Sequence, residues 1–159
     1  MEHPTYHVKV RYAVECVKQL LPQVDAATSL VLVGDLSQCR FSKLDSVVRE
    51  AIAVENPVFS ESHGRLIVPL SGVNKFQLKN QLLHRIGLRQ LITEVQLERY
   101  GRLLFHAPNK FNDPAQLSDW FRPHVIEALV QEGILTVIES GQRRATRRER
   151  PSRFQFAYQ

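Results

Sequence analysis

The chain has 159 residues, 43% hydrophobic and 23% charged, an ordinary globular composition that excludes disorder along its whole length. Its net charge of +5 and a pI near 9.5 favour an anionic partner but carry no information about fold. No apolar run approaches the roughly eighteen residues of a membrane span, and the N-terminus, Met1-Glu2-His3-Pro4-Thr5-Tyr6, lacks a basic region followed by an apolar stretch. The expectation is a soluble protein inside the cell, in the cytoplasm or nucleus, with no contact to membrane.

Taken in chain order, Tyr12, Ala13, Cys16, Val17, Leu20 and Leu21 recur at helical spacing and Pro22 closes the run, which predicts a helix over 8–21. The β-branched run Leu30-Val31-Leu32-Val33, stopped by Gly34, predicts a buried strand over 29–34. A short helix near 37–42 follows. Phe41, Leu44, Val47, Val48, Ala51 and Ile52 then mark one face of a helix over 43–55, ended by Asn56-Pro57. Strands over 57–60 and 65–70 flank Ser60-Glu61-Ser62-His63-Gly64, a hairpin-turn composition. Ser71-Gly72-Val73-Asn74 is the natural boundary.

Beyond it, residues 76–86 read as helical, and Leu88, Leu91, Ile92, Val95 and Leu97 predict a helix over 88–99. A strand over 102–107 follows. Asn112-Asp113-Pro114 supplies a cap and a first-turn proline for a helix over 114–121. Pro123 opens another over 123–132, whose inward stripe is Val125, Ile126, Leu129 and Val130. Strands over 134–139 and 153–158 complete the chain.

Between those last strands lies the strongest functional signal. Residues 141–153 hold Arg143, Arg144, Arg147, Arg148, Arg150 and Arg153 against Glu149 alone, so this turn carries +5, as much as the whole protein. Without it, basic and acidic side chains balance. Guanidinium groups stay charged and fork onto phosphate oxygens. A solvated loop or a nuclear-localisation segment has the same composition, and Arg143-Arg144-Ala145-Thr146 also has the pattern of a basophilic kinase site.

The order helix, strand, helix, helix, strand, basic turn, strand in the second half resembles the winged-helix superfamily. The first half repeats that order with a short turn, and 47–59 echoes the apolar spacing of 125–137. The resemblance implies an α+β fold of two winged-helix-like units in tandem, 1–72 and 73–159; the alternative is one α/β domain with a C-terminal hairpin. It also implies a nucleic-acid-binding protein whose arginine-rich wing lies along the phosphate backbone while the preceding helix faces a groove. That helix offers His124, Glu127, Ala128 and Gln131 outward, with Arg122 just before it. Such a near-neutral face supports backbone binding better than base reading. Duplex DNA is the favoured partner and RNA the other, within a larger assembly that includes a protein partner. The alternative is a protein-interaction subunit that uses its winged helices for packing.

Catalytic signatures do not stand out. No nucleophile with a base, carboxylate cluster or phosphate loop appears, so the expectation is a non-enzyme without cofactor. Gly34-Asp35-Leu36-Ser37 reads as capping residues rather than a metal loop. The six histidines are scattered, His3 and His7 being the one pair at four-residue spacing, and no metal site is expected. Trp120 and Phe121 read as core, and Cys16 and Cys39 as reduced core thiols.

Overall fold

Alternation at the start of the chain makes a strand before it makes a helix. In the computed structural model, which describes residues 5–39, 42–51 and 63–140, Thr5–Val10 forms β1, with Val8 and Val10 buried and Lys9 exposed between them. The helical spacing begins only at α1, Ala13–Leu20, which buries Ala13, Cys16, Val17 and Leu20. Pro22 turns the chain through a single tight turn, Leu21–Gln23. Strands β2 (Thr28–Asp35), β3 (Val48–Ala51) and β4 (His63–Pro69) follow. Helix α2 (Gly72–Gln77) runs on into a wider π-type turn, Leu78–Leu82. Then come β5 (Ile92–Arg99), β6 (Arg102–Ala107), β7 (Ala115–Ser118), α3 (Pro123–Gln131) and β8 (Leu135–Ser140).

The eight strands form one antiparallel sheet in the order β3-β4-β2-β5-β6-β7-β1-β8. Its inward face joins the buried stripes of α1 and α3 in one core with Leu30, Leu32, Leu66, Val68, Val95, Leu97, Phe105 and Leu117. Each fully buried side chain of this size contributes about 1.5–3 kcal/mol. The outward face is more polar. A row across the strands pairs Gln96 with His106, His106 with Gln116, and Gln116 with His7.

The α+β class stands, but the winged-helix order does not describe these residues. Segments expected as helices over 43–55, 88–99 and 114–121 contain β3, β5 and β7. Nor does the sheet divide at 72 and 73: β2 pairs with β5 from Thr28↔Arg99 to Gly34↔Ile92, and β1 lies between β7 and β8. The single-domain alternative is nearer, although the sheet is antiparallel throughout rather than of the α/β kind. The proposed strands over 57–60 and 153–158 lie outside the described residues.

A β-bulge explains the difference at β5. Across from β2, Val33 faces Glu94 and Gly34 faces Ile92, so Thr93 is an extra residue in β5. That bulge lets Ile92 and Val95 both point inward at a spacing of three, which imitates a helix. Thr93 Oγ1 donates to the Val33 carbonyl at 2.8 Å. Opposite, Gly34 has φ 144° and a Cβ there would lie 2.5 Å from the Leu91 carbonyl oxygen, so only glycine fits.

Side-chain hydrogen bonds tie the connections down. Asn74, fully buried in α2, accepts from the Asp45 N–H and donates to the Asp45 and Pro69 carbonyls, each at 2.8 Å. Ser71 caps the same helix by accepting from the Asn74 N–H. Between β6 and β7, Asn109, Lys110 and Phe111 all have positive φ, 50°, 55° and 66°. This left-handed turn is held by burial of Phe111, whose ring lies 6.4 Å from that of Phe105.

Candidate functional site

The register fixes where the arginine run is attached. Tyr6 lies opposite Ser140, and Thr5 opposite Ser118. The β5–β6 turn, Tyr100-Gly101, is at this same end of the sheet, because Arg99 pairs with Arg102 and β7 runs back alongside β6 to Ser118. So is the start of α3. Arg143, Arg144, Arg147, Arg148, Arg150 and Arg153 lie outside the described residues, but Gly141 follows Ser140 directly.

Of the three remaining expected residues, His124 and Gln131 are on α3 and Arg122 caps its start. Arg122 precedes its first turn in extended backbone, and Arg122 and His124 are exposed at the Ser140 end. Gln131 is exposed too, but seven residues along the helix from His124, about 10 Å away. The structure therefore groups Arg122 with His124 and leaves Gln131 at the opposite end, beside Glu132, which accepts from Gln19 Nε2 at 2.6 Å.

Residues not singled out from sequence fill the Ser140 end. Arg99 forks onto Asp25, with Nη2 2.8 Å from Oδ2 and Nε 3.1 Å from Oδ1. The hydrogen bond from Arg99, backed by its charge, holds the Asp25 carboxyl down to about 2, and the same partner raises Arg99. The Arg99 guanidinium also lies 4.9 Å from the Tyr100 ring centroid and 6.0 Å from that of Trp120. Arg102 Nη2 donates to Ser118 Oγ at 3.0 Å and sits 3.4 Å from Asp119 Oδ1. Its Nε is buried and has no hydrogen-bond partner among the described residues.

Beside Arg102 is a cavity of about 380 Å³ whose polar lining is Thr5, Tyr100, Arg102, His106, Gln116 and Ser118. His106 Nε2 lies 3.1 Å from Glu94 Oε1, which orients the imidazole on the cavity's lining. Arginine–acid pairing makes this end nearly neutral, so it adds shape and hydrogen-bonding groups rather than net charge. Arg122 has no ion-pair partner among the described residues.

A second cavity, about 330 Å³, lies between the start of α1 and residues 83–90, with Arg11, His84 and Arg89 on its rim. Arg89 is already committed there, donating to the Val10 and Arg11 carbonyls at 2.6 and 2.9 Å. Among the described residues no group of three or more histidine, cysteine or acidic side chains could hold a metal ion. His3 lies outside them, while His7 is in β1. Asp35 Oδ1 accepts from the Ser37 N–H at 2.9 Å, so it organises a turn, not a helix start. Phe121 is buried, and the partly buried Trp120 packs edge-on against it at 5.4 Å. Cys16 and Cys39 are free and buried, and burial pushes their thiols up to about 12 and about 11. No described helix is long and apolar enough to cross a membrane.

The sequence signal for the Tyr100 end was present in Arg99-Tyr100-Gly101-Arg102, a turn dipeptide between two arginines. Helical spacing upstream obscured it. Comparison with protein-family models, curated proteins and solved structures finds no match for this chain.

Proposed function

We propose that this protein binds nucleic acid inside the cell, its phosphates held by Arg143, Arg144, Arg147, Arg148, Arg150 and Arg153, with Arg122 and His124 alongside. The observation that carries the reading is the attachment of this run at Ser140, on the end of the sheet that also holds Arg99, Tyr100, Arg102 and Trp120. Phosphate contacts release counterions, so affinity rests on the permanent charge of these side chains. The fold then serves as a platform for a charged segment, and no bond-making step is involved. Gln131, at the far end of α3, takes no part in this binding. Binding of a duplex DNA across salt, with and without the arginines, is the test.

A second reading makes the protein a subunit whose sheet edge takes a protein partner. It is favoured by β8, an edge strand among the described residues, with Val137 and Ile138 exposed, and by the exposed Val130 of α3. Stable co-purification with one protein, together with absence of nucleic-acid binding at physiological salt, would replace the first reading with this one.

A further inference from the structure

Tyr100 occupies a position that its turn does not require. Tyr100 and Gly101 are the central residues of the β5–β6 turn, with φ 51° and 80°. Asparagine followed by glycine suits such a left-handed pair, whereas the Cβ of a tyrosine strains the first position. Core packing does not explain the ring either, since Tyr100 is 82% exposed. The Arg99 guanidinium lies 4.9 Å from the ring centroid, yet the ring stays largely exposed, and a strained, exposed aromatic side chain that serves neither turn nor core points to a ligand.

What surrounds it defines the ligand. Tyr100 lines the 380 Å³ cavity, large enough for one nucleotide and too small for a duplex. On its lining the exposed Gln116 amide both donates and accepts. Mixed donors and acceptors beside an aromatic face match a nucleobase, which has hydrogen-bonding edges and a flat π-surface. We infer that Tyr100 and this cavity receive one unstacked base of a single-stranded nucleic acid, stacked on the tyrosine ring and hydrogen-bonded by Gln116. The inference rests on the reading that the arginine run holds the adjoining phosphates. A paired duplex cannot supply such a base, because its faces are stacked and its edges occupied.

The test uses the full chain, a fluorescent 12-nucleotide single strand and the corresponding 12-base-pair duplex. Variants are Tyr100→Phe and Tyr100→Asn, the latter removing the ring while keeping a residue suited to the turn. Tyr100→Asn should weaken single-strand binding roughly 5- to 150-fold, as loss of one stacked base does, while the salt slope stays unchanged. Tyr100→Phe should stay within about twofold of the parent, the π-face being kept. Duplex binding should be unaffected by either change. Equal single-strand affinity for the parent and Tyr100→Asn, or equal losses on both nucleic acids, overturns the base site but leaves phosphate binding standing. Failure of the parent to bind either nucleic acid overturns both.

Discussion

Tyr6 lies opposite Ser140 where β1 meets β8, and this pair decides which end of the sheet carries the arginine run. The same row of the sheet continues through Leu117 and Phe105, both buried, so the attachment point is anchored on the core. The chain leaves Ser140 for its thirteen-residue basic segment at the end where Tyr100, Arg102 and Arg122 are gathered.

Asn74 should be the polar side chain whose loss costs most stability. Alanine there leaves the Asp45 N–H and the Asp45 and Pro69 carbonyls, all at part-buried positions, without their partner. Asn74→Ala should destabilise by about 2–4 kcal/mol. Asn74→Asp should do no better, because a carboxylate would face two carbonyl oxygens. Urea unfolding measures both, and a loss under about 0.5 kcal/mol for alanine would show that the bridge contributes little.

The Asp25–Arg99 pair sets an acid dependence. In the fold the Asp25 carboxyl sits near 2 instead of its ordinary 3.8, so its stabilisation is fully present above about 3.8 and is lost as pH falls through about 2. The difference in urea midpoint between the parent and Asp25→Asn should therefore be constant above pH 4 and shrink towards zero near pH 2. The pair is exposed, so added salt should reduce the difference at every pH. A difference that grows on acidification contradicts this assignment.

Neither cysteine should react in the folded protein. Both are buried and their thiols are pushed up, to about 12 for Cys16 and about 11 for Cys39, so the thiolate fraction at pH 8 is very small. Labelling with a chromogenic disulfide should follow the opening of the structure, not the reagent concentration. Rapid stoichiometric labelling of one thiol under native conditions would show that its surroundings are open.

Continuous and uninterrupted patterns were legible in the sequence. Leu30-Val31-Leu32-Val33 is β2, residues 102–107 are β6, and Pro123 with its apolar stripe is α3. Interrupted patterns were not. The Thr93 bulge turned the two-residue period of β5 into a three-residue spacing, and Leu117, Trp120 and Phe121 imitated a helix although Ala115–Ser118 is held as a strand from both sides. In β3 the pairing with β4 overrides a helical pattern whose Val48 ends half exposed. Sheet neighbours distant in sequence made these choices, and local spacing carries no trace of them. At the candidate site, Arg122 and His124 were recognisable as the exposed start of a helix. Tyr100 was not, because its significance lies in a backbone angle and an exposure that only the fold defines.

The most direct measurement is the affinity of a duplex DNA for the full chain from low to high salt, compared with the variant in which Arg143, Arg144, Arg147 and Arg148 are alanine. If four to six arginines contact phosphates, log affinity of the parent should fall with log salt at a slope of about −4 to −5. The fourfold variant should bind far more weakly at low salt, with the slope reduced by about 3.6 if all four contacts are lost. Unchanged affinity and unchanged slope in that variant would contradict the central claim.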